Sequence, residues 1–242
     1  MSDAKVRLFV EQMLGPNQGV ALGPDQAHYL FSVMRMAVGD GVALFNGRDG
    51  EWHALVEQTA KRGGALRCTA QSQPQRPPPD LWLLFAPIKK ARTDFIVEKA
   101  VELGAARIQP VQTRRTNSER IRQDRLQAHA IEAAEQCGAT FVPEVAELIS
   151  LDRLLAKWPE DRRILWADES LTSAKAVLKA QGRGGKWAIL IGPEGGFSPD
   201  EQTRLRAMPQ VVPVSLGPRI LRADTAAVAA LSLWQATLGD WV

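Results

Sequence analysis

Four of the six residues from position 74 to 79 are proline. Proline fixes φ and has no N–H to donate, so this stretch cannot enter a helix interior or a central strand and runs instead as a semi-rigid connector. A chain of 242 residues is long enough for two cores, and the prolines mark where the first should end. The expected organisation is a first domain over residues 1–72, a linker over 73–80 and a larger domain over 81–242.

Before the prolines, residues 6–10, 41–45, 51–56 and 65–69 read as short strands, 46–50 as a hairpin turn and about 24–34 as one helix. Some seventy residues with this content predict a small β-barrel of the kind that carries RNA-binding surfaces. After the prolines the pattern becomes α/β. Apolar strands at 81–86, 107–111, 163–167, 187–191 and 211–215 alternate with helices, which predicts a parallel sheet. Helices over 94–103 and 121–136 stop at or just before Gly104 and Gly138. Ser198-Pro199-Asp200-Glu201 has the composition of a capping box. The last helix, 224–238, carries the small-residue run Thr225-Ala226-Ala227-Val228-Ala229-Ala230, which suits close packing or a subunit interface.

Charge and cysteine usage narrow the partners. The net charge is +3, and basic residues crowd at Arg62, Arg67, Arg76, Lys89, Lys90, Arg92, Arg114, Arg115, Arg120, Arg122 and Arg125. That distribution leans toward a nucleic acid. Cys68 and Cys137 form no CxxC pair, so they read as core thiols, with no disulfide and no metal site expected. No apolar run approaches the roughly 18 to 20 residues of a membrane span, and no signal-peptide core follows Met1-Ser2-Asp3-Ala4-Lys5. The expectation is a soluble, cytoplasmic protein with no membrane partner.

The chemistry is concentrated in two late loops. Strand 187–191 runs into Gly192-Pro193-Glu194-Gly195-Gly196-Phe197 and then into the capped helix, so these glycines occupy a strand-to-helix turn where α/β sheets bind ligands. There is no Gly-Lys-Ser/Thr and no GxGxxG after an early strand, which excludes a P-loop and a dinucleotide fingerprint. Alone, this loop fits a structural turn as well as a site. A second strand end, Leu216-Gly217-Pro218-Arg219-Ile220-Leu221-Arg222, shifts the balance. Two such crests can form a cleft that grips an uncharged adenine by backbone hydrogen bonds. For Arg219 and Arg222, salt bridging and a role in the site both stay open on this reading.

These two loops, together with Thr225-Ala226, resemble the signature of the RsmE family of 16S ribosomal RNA uridine-N3 methyltransferases, in the SPOUT superfamily. Supporting matches are Glu98-Lys99-Ala100-Val101-Glu102-Leu103-Gly104, Glu132-Ala133-Ala134-Glu135-Gln136-Cys137-Gly138 and Val142-Pro143. Others are Arg7-Leu8-Phe9-Val10, His28-Tyr29-Leu30, Met34-Arg35 and Gly39-Asp40. The resemblance runs in order from about residue 7 to 238. It implies a PUA-like β-barrel followed by a SPOUT α/β domain with a C-terminal trefoil knot, a homodimer, and S-adenosylmethionine held bent in the knot. Carried onto this chain, it places Ile191, Gly192, Glu194, Gly195 and Gly196 with Ser215, Leu216, Gly217, Ile220 and Leu221 at the cofactor. Trp166 and Ala167, with Asp168 and Glu169 after them, are the expected third wall. Two positions depart from the family: Ala139 stands where arginine is usual, and Asp224 where glutamate is commoner.

The implied reaction is methylation of N3 of a specific uridine in 16S ribosomal RNA, free or in the small subunit. Uracil N3 carries a proton at neutral pH, so Arg222 and Arg219 are the candidates to stabilise the anion. Arg7, Arg35, Arg114 and Arg115 are the candidates to grip RNA phosphates. Two alternatives remain: a knotted methyltransferase acting at another RNA position such as a ribose 2'-hydroxyl, and a non-catalytic RNA-binding protein.

Overall fold

The computed structural model describes residues 4, 6–117, 121–168, 174–182 and 184–241. By their contacts they form two compact units, one reaching Pro77 and taking in Ala134–Val142, the other made of Pro78–Ala133 and the chain from Pro143 onward. Arg120 and Glu169 of the sequence reading lie outside the described residues.

The first unit is a five-stranded sheet of β1 (Arg7–Phe9), β2 (Gly19–Leu22), β3 (Gly41–Phe45), β4 (Glu51–Ala60) and β5 (Gly63–Gln73), in the order β1-β3-β4-β5-β2. β1 pairs with β3 in parallel and the other pairs are antiparallel. Side chains alternate across a strand, so Val42 and Leu44, Ala54 and Val56, and Leu66 and Cys68 enter one core with Leu8, Val20 and Leu30. The hairpin between β3 and β4 closes because Asn46 Oδ1 accepts from the amides of Arg48 (3.0 Å) and Asp49 (2.9 Å). β2 escaped the sequence reading: four residues opening on glycine carry no alternation of their own, and only pairing with β5 makes them a strand. The expected helix is α1 (Pro24–Ala27) continued by a π-helical turn over His28–Val33.

Arg7 explains why Ala134–Val142 packs with this unit. Its Nε lies 2.7 Å from Glu51, and its two terminal nitrogens donate to the carbonyls of Ala134 (2.6 Å), Glu135 (2.9 Å) and Ala139 (2.9 Å). Burial pushes the Glu51 carboxyl up, but hydrogen bonds from Ser72 and Arg7 outweigh it and hold the carboxyl below its usual range. In Cys68, burial raises the thiol pKa. Cys137 corrects the expectation of two core thiols, because it ends a helix on that helix's exposed side.

The second unit opens with β6 (Leu81–Phe85), α2 (Lys90–Glu102), β7 (Arg107–Gln112) and α3 (Gln123–Cys137), whose last residues count with the first unit. It continues through β8 (Glu144–Val145), β9 (Ile149–Ser150), α4 (Leu151–Leu155), β10 (Arg162–Ala167) and α5 (Ala174–Lys179). β11 (Lys186–Ile191), α6 (Pro199–Ala207), β12 (Val211–Val214) and α7 (Ala223–Leu238) complete it. The sheet is parallel throughout, in the order β12-β10-β11-β6-β7-β8, with β9 also on β7. Its central strands are unbroken apolar runs because helices cover both faces. Leu84, Ile164, Trp166, Ala188, Leu190 and Leu205 share one core cluster. On α7, Ala227, Ala230, Leu231 and Trp234 are buried, and the helix packs on α2, α5 and β11. β8 and β9, two residues each, were beyond sequence reading for the same reason as β2.

Arg162 anchors the amino-terminal edge of this sheet. It is 5% exposed, lies 2.8 Å from the Asp80 carboxylate, donates to the Trp187 carbonyl (3.0 Å) and stacks 3.8 Å from the Trp82 ring centre. The residues after the prolines are thereby tied to the sheet, at the end away from the two glycine loops. No helix of the described residues is long and apolar enough to cross a membrane.

Candidate cofactor and methyl-transfer site

In this sheet β10 lies between β11 and β12, although both follow it in the chain. Where strand order reverses in this way, the carboxyl ends of neighbouring strands open a crevice. Trp166 registers with Leu190 and Ala167 with Val214, so Asp168, Gly192 and Ser215 begin three adjacent loops. Between these loops lies a cleft of about 480 Å³.

Each wall has a local cause. On the β11 side, Ser198 caps α6: its hydroxyl accepts from the Glu201 amide (3.3 Å) while Glu201 Oε2 accepts from the Ser198 amide (2.8 Å). The capping box expected from sequence is thus formed. Glu201 is buried, and its other oxygen accepts from the Arg114 amide at 2.8 Å, tying the segment after β7 to the start of α6. Next to it, Arg115 Nη1 donates to the Gly195 carbonyl at 2.8 Å. Gly192 leaves room for Phe197, since a Cβ there would meet that ring at 2.7 Å. Phe197 packs edge-on to Trp166, with ring centres 5.9 Å apart. Gly196 sits at φ +67°, a conformation that costs other residues strain.

On the β12 side, the Ser215 hydroxyl accepts from the Gly217 amide (3.2 Å) and donates to its carbonyl (3.3 Å), turning the loop. Gly217 adopts φ +119°. The amides of Ile220 and Leu221 have no partner among the described residues, so they are available to a ligand. Arg92, from α2, lies between Glu194 (3.5 Å) and Asp224 (3.8 Å).

Of the residues singled out from sequence, Trp166, Ala167, Ile191, Gly192, Glu194, Gly195, Gly196, Leu216, Gly217, Arg219, Ile220 and Leu221 all line this cleft. Ser215 and Arg222 are not among its lining. Ser215 shapes the loop through its hydroxyl bonds to Gly217, and Arg222 is an exposed N-cap whose carbonyl accepts from Ala226 at 2.8 Å. Arg115, picked for RNA, is in the wall; Arg114 is exposed, 4.0 Å from Asp152. In the first unit Arg35 is exposed at φ +55°, while the Arg7 guanidinium is filled by the acceptors described above. Gln202 and Arg206 also line the cleft. Sequence reading missed them because they sit on α6, one turn apart, where polar residues ordinarily face solvent.

The RNA methyltransferase domain family matches residues 75–235, and the RNA methyltransferase PUA domain family matches residues 22–65. Ribosomal RNA small subunit methyltransferase E of Rickettsia conorii is 31% identical over 93% of both chains. The chain belongs to the ribosomal RNA small subunit methyltransferase E family. The Synechocystis member is 33% identical over 90% of this chain and 73% of its own. The Neisseria gonorrhoeae member, whose crystal structure is bound to S-adenosyl methionine, superposes with a TM-score of 0.89 at 26% identity, over 98% of this chain and 99% of that one. As a member of this family the chain is an RNA methyltransferase with a mixed α/β fold and a PUA domain.

Proposed function

We propose that this chain transfers the methyl group of S-adenosylmethionine to N3 of a specific uridine in 16S ribosomal RNA of the small subunit. The observation that carries the proposal is the cleft at the switch point, where both glycine loops converge on uncommitted backbone amides. Its volume lies within the range of small-molecule sites, roughly 300–1,000 Å³. The residues suit the cofactor: Ile220 and Leu221 offer amides to adenine, and Ile191, Leu216 and Leu221 offer apolar surface to its faces. When bound, S-adenosylmethionine supplies an activated methyl group for in-line displacement, so the protein's contribution is chiefly positioning.

Arg219, in the cleft wall, and Arg222, exposed at the start of α7, stabilise the uracil anion that forms as N3 loses its proton. No histidine lines the cleft among the described residues, and no general base is assigned. Arg35, Arg114 and Arg115 meet RNA phosphates, which makes binding fall as salt rises. Arg7 enters this reading as the residue that holds β1 to the Ala134–Val142 segment rather than as a phosphate ligand. The reading also includes a closed PUA-like barrel, a C-terminal trefoil knot, a homodimer and cytoplasmic action. The target base leaves its stack to reach the methyl group.

The test is methyl transfer from labelled S-adenosylmethionine to small-subunit RNA and to assembled subunits, followed by nucleoside digestion. Label in 3-methyluridine is the expected result. Label in a 2'-O-methylated nucleoside would move the activity to a ribose, and no incorporation into either substrate would remove the proposal.

A further inference from the structure

One part of the cleft is charged in a way that the glycine loops do not account for. Asp168 follows β10, and its side chain is only 10% exposed. Arg206 Nη2 lies 2.9 Å from Asp168 Oδ2, and its guanidinium carbon is 5.4 Å from the ring centre of the buried Trp166. Gln202, one helical turn before Arg206, continues this wall and is held by donation to the Phe197 carbonyl at 3.1 Å.

A carboxylate and a guanidinium presented side by side in a cleft wall are the complement of a zwitterion. S-adenosylmethionine ends in one, an α-ammonium next to an α-carboxylate, whereas its adenine is neutral and is served by the backbone amides of the β12 loop. Of the other charged groups of the cleft, Arg115 is tied to the Gly195 carbonyl, Glu194 faces Arg92, and Arg219 stands on the β12 loop, where the proposed reaction uses it for the uracil anion. Arg206 has five N–H donors in a planar fork, so it can keep Asp168 and still offer a pair to a carboxylate. Its stacking on Trp166 restrains the plane of that fork.

Resting on the cofactor reading above, we propose that Asp168 and Arg206 form the subsite for the amino-acid end of S-adenosylmethionine. Asp168 receives the ammonium and Arg206 the carboxylate. The cleft thereby prefers the whole cofactor over analogues that lack either group.

Calorimetry on the full chain tests this with three ligands: S-adenosylmethionine, its decarboxylated form, and methylthioadenosine, which lacks both charged groups. A charged hydrogen bond contributes enough for its loss to cost about tenfold or more in affinity. Arg206→Met is expected to lose that factor for S-adenosylmethionine and, with it, the wild-type preference over the decarboxylated form. Asp168→Asn is expected to weaken both amine-bearing ligands alike. Methylthioadenosine should bind both variants within about twofold of wild type, which also shows that the cleft is intact. Unchanged S-adenosylmethionine affinity in Arg206→Met would overturn the proposal. So would a parallel loss of methylthioadenosine, since the pair would then serve the adenosine half or the shape of the wall. Failure of the underlying cofactor reading has a different signature, a wild-type chain that binds neither S-adenosylmethionine nor methylthioadenosine, and it overturns this inference as well.

Discussion

Arg115 holds the glycine-rich loop by its main chain, donating from Nη1 to the Gly195 carbonyl at 2.8 Å. The next residue's carbonyl is not involved, and Gly196 turns away through its own bond to Pro193 at 2.8 Å. An arginine read from the sequence as an RNA contact therefore also sets the position of a cleft wall. Arg115→Ala is expected to weaken S-adenosylmethionine binding by about fivefold, on the order of 1 kcal/mol. Arg115→Lys should recover part of the loss, and calorimetry on the two variants is the check.

Gly192 and Gly196 should respond differently to alanine. At Gly192 the new Cβ would press on the Phe197 ring at 2.7 Å, and that ring is itself wedged against Trp166. The expected cost is overpacking of about 1–3 kcal/mol. Gly196 has open space, so Gly196→Ala should cost only the left-handed backbone, about 1–2 kcal/mol. Urea unfolding midpoints give both values. A second-site Phe197→Leu should relieve the first and leave the second unchanged.

Stability of the first unit should depend on pH through Glu51. Its carboxyl is held below the usual 4.5 in the folded chain, where burial is outweighed by hydrogen bonds from Ser72 and Arg7. A depressed folded pKa contributes stability above the unfolded value and loses it as pH falls through the folded one. Glu51→Gln is expected to cost about 2–3 kcal/mol at neutral pH. That is less than for a fully buried pair, because Arg7 keeps three carbonyl partners. The gap between wild type and variant should shrink only as the pH falls from the usual 4.5 through the lower folded value. A gap that stays constant in denaturant titrations across that range would contradict this account.

Arg222 tests the division of labour in the proposed reaction. Its side chain is exposed at the start of α7 and is not part of the cleft lining. Arg222→Ala should therefore bind S-adenosylmethionine normally and turn over about a hundredfold more slowly. Undiminished turnover in single-turnover assays would remove Arg222 from the chemistry and leave Arg219, which lines the cleft.

Much of this protein could be read from the chain. The alternation of apolar strands with helices, the glycine stops after helices and the Ser198–Glu201 capping box are local signals, encoded within a few residues, and they foretold the parallel sheet and its helices. The glycine loops were legible for the same reason, because a strand running into glycine and then into a capped helix is a contiguous pattern. What the sequence could not carry was whatever depends on which segments become neighbours. β2, β8 and β9 are strands only by virtue of the partners they pair with. Arg7 and Arg115 look alike as exposed-type cations, and only the packing shows one filled by carbonyls from 127 or more residues away and the other bonded to Gly195. Asp168 and Arg206, 38 residues apart, share a wall only because β10 is inserted between two strands that follow it. Local propensity determined the elements and the loops, while strand order, a long-range property paid for by burial of the whole sheet, decided which side chains face one another across the cleft.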